Sequence, residues 1–190
     1  MNAPFRTPSL KPEPHRFTLD DVERMQGIGL LQEGGKFELI EGEIIDMPSE
    51  GELHLELKER LNRHLVGALS AAYGLIPDGT LRLSPYNAPE PDFYIYPKPG
   101  KAYDVRGPDA PLVIEIAVSS LRDNLERKAR IYREHGVREY WVIDADRSET
   151  RVHRVDGAWP AKPATHFSEP LRAQFVPGLE VRIADLLAAG

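Results

Sequence analysis

LVIEIAVSSLRDNLERKARIYREHGVREYWVID, Leu112 to Asp144, reads as strand, helix and strand in succession. Its first seven residues are apolar except for Glu115, the pattern of a central strand buried on both faces. Ser120 and Asp123 are placed to cap a helix that runs to about His135, where Gly136 stops it. EYWVID is the second strand, with Tyr140 and Trp141 expected in the core and on the sheet face. A unit of this length is expected to be a right-handed crossover between parallel strands. Two charges interrupt the apolar pattern. One is Glu115; the other is Lys128, which shares a core-facing helical stripe with Leu125, Ala129 and Tyr132. Buried charge costs several kcal/mol unless it is paired or bound to metal.

Upstream, Pro91 and Asp92 open a strand through Tyr96, and a further strand is expected at TLRLS, Thr80 to Ser84. Ser49 and Glu52 have capping-box spacing. Behind them His54, Leu57, Leu61, Leu65, Ala68 and Leu69 fall on one face of a helix predicted to reach about Tyr73. FELIEGEIIDM, from Phe37, reads as a hairpin turning at Glu41-Gly42, and Thr18 as the N-cap of a short helix to about Met25. Downstream, strands are expected at Thr150–Val155 and Leu171–Phe175, then a closing helix from Ile183. Together these predict an α/β fold: a mixed sheet that includes the hairpin, with the long helix on one face. The expected organisation is a flexible arm over residues 1–16 and one domain over 17–190.

Bulk properties narrow the function. With 190 residues, 41% hydrophobic and 28% charged, the chain suits one globular domain. No apolar run approaches the roughly 20 residues of a membrane span, and the proline-rich N-terminal stretch lacks the apolar core of a signal peptide. The absence of cysteine excludes disulfides, a thiolate nucleophile and cysteine-bound zinc, which fits a cytoplasmic protein. The formal charge of −6 counts against tight non-specific DNA binding without excluding a local basic face. His135, His153 and His166 show no pairing pattern and are expected at the surface.

Each charge in the pattern has a structural reading beside the chemical one. Glu115 is either a cleft carboxylate or half of a structural ion pair. Lys128 either serves a site or snorkels outward along its stem. Asp92 is either a ligand or a turn aspartate of the common Pro-Asp type. Two carboxylates and a lysine converging at a sheet edge would hold a hard divalent cation, which needs few protein ligands. That set is suited to metal-assisted phosphodiester hydrolysis.

PDFYIYP, LVIEIAVSSL, the lysine of ERKARIY and GVREYWVID together resemble the Uma-type restriction endonucleases of the PD-(D/E)XK nuclease superfamily. FELIEGEIIDMP, the helix bearing His54, and LRLS ahead of PEPD extend the likeness from about Phe37 through Val155. The resemblance implies a restriction-endonuclease-like mixed sheet flanked by helices. It implies Asp92 and Glu115 as metal-binding acids for Mg²⁺ or Mn²⁺ and Lys128 as the catalytic lysine. In many superfamily members the lysine lies two residues after the glutamate, where this chain has Ala117. His54 and Glu43 match recurrent positions as accessory residues. Asn124 replaces an aspartate usually found four residues before the helical lysine. The implied activity is a metal-dependent endonuclease acting on nucleic acid, DNA above all, as a homodimer. The alternatives are a catalytically impaired binding or assembly module, to which Asn124 and the acidic charge point, and a hydrolase of another phosphate-bearing substrate.

Overall fold

The computed structural model describes residues 14–31, 36–118, 120–157, 159 and 164–188. Thr18 caps α1 (Leu19–Gly27), and Asp21 completes a reciprocal capping box with it. The hairpin follows as β1 (Phe37–Ile40) and β2 (Glu43–Asp46). Ile40 pairs with Glu43, so Glu41 and Gly42 form a two-residue loop with φ of 55° and 83°. Two left-handed residues in succession match the twist of a tight hairpin. Helix α2 (Glu52–Ala68) leads into β3 (Tyr73–Pro77) and β4 (Phe93–Pro97). Then come β5 (Leu112–Ala117) and three continuous helical segments spanning 121–134, together called α3. The chain continues through β6 (Glu139–Asp144), β7 (Glu149–Arg154), β8 (Thr165–His166), β9 (Leu171–Arg172) and β10 (Glu180–Val181) to α4 (Ile183–Ala188).

The main sheet has six strands in the order β3-β4-β5-β6-β7-β8, and only β5 and β6 are parallel. That parallel pair is joined through α3, as the opening stretch predicts. Both faces of the sheet are covered, which explains the unbroken apolar runs. Leu112, Ile114 and Ile116 of β5 join Trp141 and Ile143 of β6 under Leu57, Leu61 and Leu65 of α2. Val113 and Ala117, with Tyr140 and Val142, pack on the other face with Ala129 and Tyr132 of α3. The architecture is the expected mixed sheet flanked by helices. Among the described residues no helix is long and apolar enough to cross a membrane.

Several expectations give way to tertiary context. The hairpin does not extend the main sheet; it forms a two-stranded sheet of its own, with Leu39 packed on Val22 and Ala88. TLRLS is not a strand. Leu81 N–H donates to Pro89 and Leu83 N–H to Asn87; Pro89 has no N–H to return and that of Asn87 goes to Ser84 (3.3 Å), so only an isolated bridge forms. The long helix stops at Ala68, because Tyr73–Pro77 instead forms an edge strand on β4. Gly51, not Ser49, is its N-cap, and no side chain caps it. Ser120 occupies the N-cap of α3, but its hydroxyl accepts from Asn124 Nδ2 (3.2 Å) and caps nothing. The Leu171 strand is only two residues long and pairs with β10, apart from the main sheet.

His153 is buried, not at the surface. Register places it opposite Tyr140, and its ring stacks there at 5.4 Å. Burial, helped by Arg151, pushes its imidazole down to about 4. His166 is exposed as expected, while His135 is half-buried and donates from Nδ1 to the Ile131 carbonyl (2.8 Å). Tyr140 and Trp141 are fully buried. Most of the arm expected at 1–16 lies outside the described residues; Arg16 itself hydrogen-bonds the Glu41 carbonyl (2.9 Å) and covers the Tyr86 ring.

A close approach fixes the end of α3. A Cβ on Gly107 would stand 2.0 Å from the His135 carbonyl oxygen, a backbone atom that cannot swing away. Gly107→Ala is therefore expected to destabilise the fold by about 2–3 kcal/mol, read as a lower urea midpoint at unchanged slope.

Candidate functional site

Asp92, Glu115 and Lys128 converge on one cleft of about 250 Å³, which Glu38, Glu50 and His54 also line. The convergence follows from register. Phe93 pairs with Ile114, so the residue before β4 reaches the middle of β5. Asp92 Oδ2 there accepts the Ile116 backbone N–H at 2.7 Å in a buried bond. Its Oδ1 lies 3.2 Å from both His54 Nε2 and Lys58 Nζ.

Glu115 shares its face of β5 with Val113 and Ala117, so it points at α3. Lys128 Nζ donates to Glu115 Oε1 at 2.9 Å, and Tyr132, one turn further, donates its hydroxyl to the same oxygen at 3.0 Å. Lys128 has a second acceptor, Glu38 Oε1 at 2.7 Å, supplied by β1. That oxygen also accepts the Glu90 N–H at 2.8 Å, tying hairpin, helix and sheet together. The segment Asn124–Lys128 is a π-turn inside α3, a widened turn common at functional sites. Asn124 and Lys128 are both buried in it, while Leu125 of the expected stripe is half-buried against the same core.

Electrostatics separate the two acids. Burial pushes Glu115 up to about 7; Lys128 opposes this, and Glu38 and Asp92 add to it. Burial also pushes Asp92 up, but the His54 hydrogen bond and charge, the Ile116 N–H and Lys58 outweigh it and hold it low. Two carboxylates in one cleft with ionisation pushed apart can divide acid and base roles between them. Lys128 stays a cation, since Glu115 and Glu38 outweigh the cost of burying it. His54 is likewise raised: burial works against its charge, and Asp92 and Glu50 prevail.

The geometry also identifies participants the sequence reading passes over. Glu50, His54 and Asp92 bring one ligand atom each to within 4.8 Å of one another. His54 Nδ1 is buried without a hydrogen bond among the described residues, 3.5 Å from Glu50 Oε2. The ring thus stands between two carboxylates, Glu50 beside Nδ1 and Asp92 beside Nε2, a set of donors of the kind a divalent cation takes. Glu38, Glu50 and Lys58 are the missed residues. A signal existed for Glu38, an acid between Phe37 and Leu39 in a strand. One existed for Lys58, which follows His54 by one turn in the apolar stripe of α2. Glu43 lies elsewhere: it is exposed and accepts from Arg127 Nη2 at 2.5 Å. Asn124 lines the cleft but gives its side-chain amide to Ser120, and its backbone carbonyl accepts the Tyr140 hydroxyl at 3.2 Å.

Residues 19–186 match the sequence model of the Uma2 family, described as "Putative restriction endonuclease". The chain belongs to this family. A crystal structure described as a "putative nuclease belonging to DUF820 from Anabaena variabilis ATCC 29413" is similar over 90% of this chain and 98% of that one. The identity is 18% and the TM-score 0.68, so this likeness shows the Uma2 chain's fold alone. No curated protein matches the chain.

Proposed function

We propose that this Uma2 protein is a divalent-metal-dependent endonuclease that hydrolyses phosphodiester bonds in DNA. The observation that carries the reading is the meeting of Asp92, Glu115 and a doubly anchored Lys128 in one cleft. Asp92 and Glu115 would hold Mg²⁺ or Mn²⁺, with His54 and Glu50 extending the ligand set. The imidazole suits Mn²⁺ better than Mg²⁺. When bound, such an ion supplies Lewis-acid polarisation of a phosphoryl oxygen and acidifies a bound water.

The protein's own groups do the rest. Lys128 steadies negative charge developing on the phosphoryl oxygens. Glu38 and Tyr132 hold that ammonium and the Glu115 carboxylate in place, which is the preorganisation such a step requires. Asn124 does not weaken the reading, because Lys128 is oriented by two carboxylates while Asn124 bonds Ser120. The proposal extends to a cytoplasmic homodimer that addresses the two strands of a duplex.

Plasmid, linear duplex and single-stranded DNA incubated with Mg²⁺, with Mn²⁺ and with chelator test this. Cleavage is expected with either ion, absent with chelator, and lost in Asp92→Ala/Glu115→Ala. Cleavage that persists unchanged in that double variant overturns the site, and no cleavage under any condition overturns the activity.

A further inference from the structure

Lys58 is a second buried ammonium at the cleft, and the proposed hydrolysis gives it no role. Its side chain is 10% exposed, and it sits one turn after His54 on α2. It donates to Glu50 Oε1 at 2.8 Å and lies 3.2 Å from Asp92 Oδ1. It thus touches both carboxylates of the set that brackets His54. Its third partner is different. Asp78, in the Pro77-Asp78-Gly79 turn, is 42% exposed where Glu50 is 17% and Asp92 8% exposed. Lys58 therefore has two acceptors inside the cleft and one at its rim, all within reach of a flexible four-carbon stem. Glu50 also has Lys36, 2.8 Å from Oε1, so it does not depend on Lys58 alone.

We infer that Lys58 is an internal counter-cation: already bonded to Asp78, it also neutralises Glu50 and Asp92, and it gives up those two and keeps only Asp78 when a divalent cation enters between them. A cation on a ligand oxygen takes lone pairs that a metal requires and repels its charge, the reverse of an orienting partner. The consequence is a cleft whose acids are paired before the metal arrives and whose metal affinity is held down by a tethered competitor. This rests on the metal-binding reading above.

The test uses the full chain without DNA, titrated with Mn²⁺ by calorimetry. Lys58→Met, which keeps the stem and removes the charge, is expected to bind Mn²⁺ at least about tenfold tighter than wild type, since contacts to ligand atoms shift metal affinity by about 10- to 100-fold. Asp78→Asn, which removes the rim acceptor, is expected to bind up to about fivefold more weakly. A merely structural Lys58 would weaken binding in both variants, and that result, or unchanged binding in Lys58→Met, overturns the inference. Trace acetylation of the wild type, read at Lys58 by mass spectrometry, keeps the test open should Lys58→Met not fold. Labelling is expected to rise with Mn²⁺, and unchanged or reduced labelling also overturns the inference. A wild type that binds no Mn²⁺ overturns the metal-binding reading and the inference together; binding in the wild type with the wrong variant responses overturns only the inference.

Discussion

Lys128→Met is expected to abolish DNA cleavage and to lower stability by about 3–5 kcal/mol, the cost of leaving a buried charge without its partner. The ammonium is nearly fully buried and serves two carboxylates, Glu38 and Glu115, that are themselves buried. Methionine keeps the volume but leaves both acids facing each other across an apolar gap. Stability then acquires a pH dependence of known sign. Glu115 is already raised from 4.5 to about 7 in the folded protein. Its contribution to stability is full below the unfolded value and lost as pH rises through the folded one. Without Lys128 the folded value moves higher, so the variant loses stability with rising pH over a wider window. Urea unfolding from pH 4.5 to 8.5 measures this. Adding Glu38→Gln and Glu115→Gln to Lys128→Met is expected to recover much of the stability and none of the cleavage. That recovery assigns the stability loss to the two acids left unpaired, while cleavage by the folded single variant tests the chemistry of the lysine. Cleavage at the wild-type rate in a folded Lys128→Met protein would show that the lysine is structural only.

Asp92→Asn is expected to reduce cleavage by about 10³-fold or more, comparable to losing a principal electrostatic group of an active site. The amide keeps the shape of the carboxylate and an oxygen for the Ile116 N–H, so the β4–β5 junction survives. What it loses is the charge shared by His54 and Lys58. The His54 imidazole, held above its usual range largely by Asp92, is expected to fall, and its NMR titration reads that shift without reference to activity. A drop in cleavage with no change at His54 would place the effect of Asp92 elsewhere than in this cluster.

How much of the site was legible in the chain depends on contrast. Glu115 stands alone in a strand of aliphatic residues, and Lys128 interrupts a helical stripe, so their misfit is visible without coordinates. Glu38 and Lys58 obey the same logic but sit among other charges, Glu41 and Glu43 in one case and Glu56, Glu59 and Arg60 in the other. That company makes each look like an ordinary solvated residue. Asp92 was legible through Pro91 and the strand behind it, and Glu50 was hidden in a loop. Burial of His153 depended on its register opposite Tyr140, which nothing in RVHRV announces.

Local pattern in the chain was enough for the strand–helix–strand core, the Glu41-Gly42 turn and the Thr18 cap, because each depends on neighbours a few residues away. Tertiary structure decided the hairpin's separate sheet, the edge strand Tyr73–Pro77, and the second anchor of Lys128. That anchor joins residues 90 positions apart. Such a contact exists only once the tertiary fold has brought the hairpin against α3, and no periodicity in either segment encodes it.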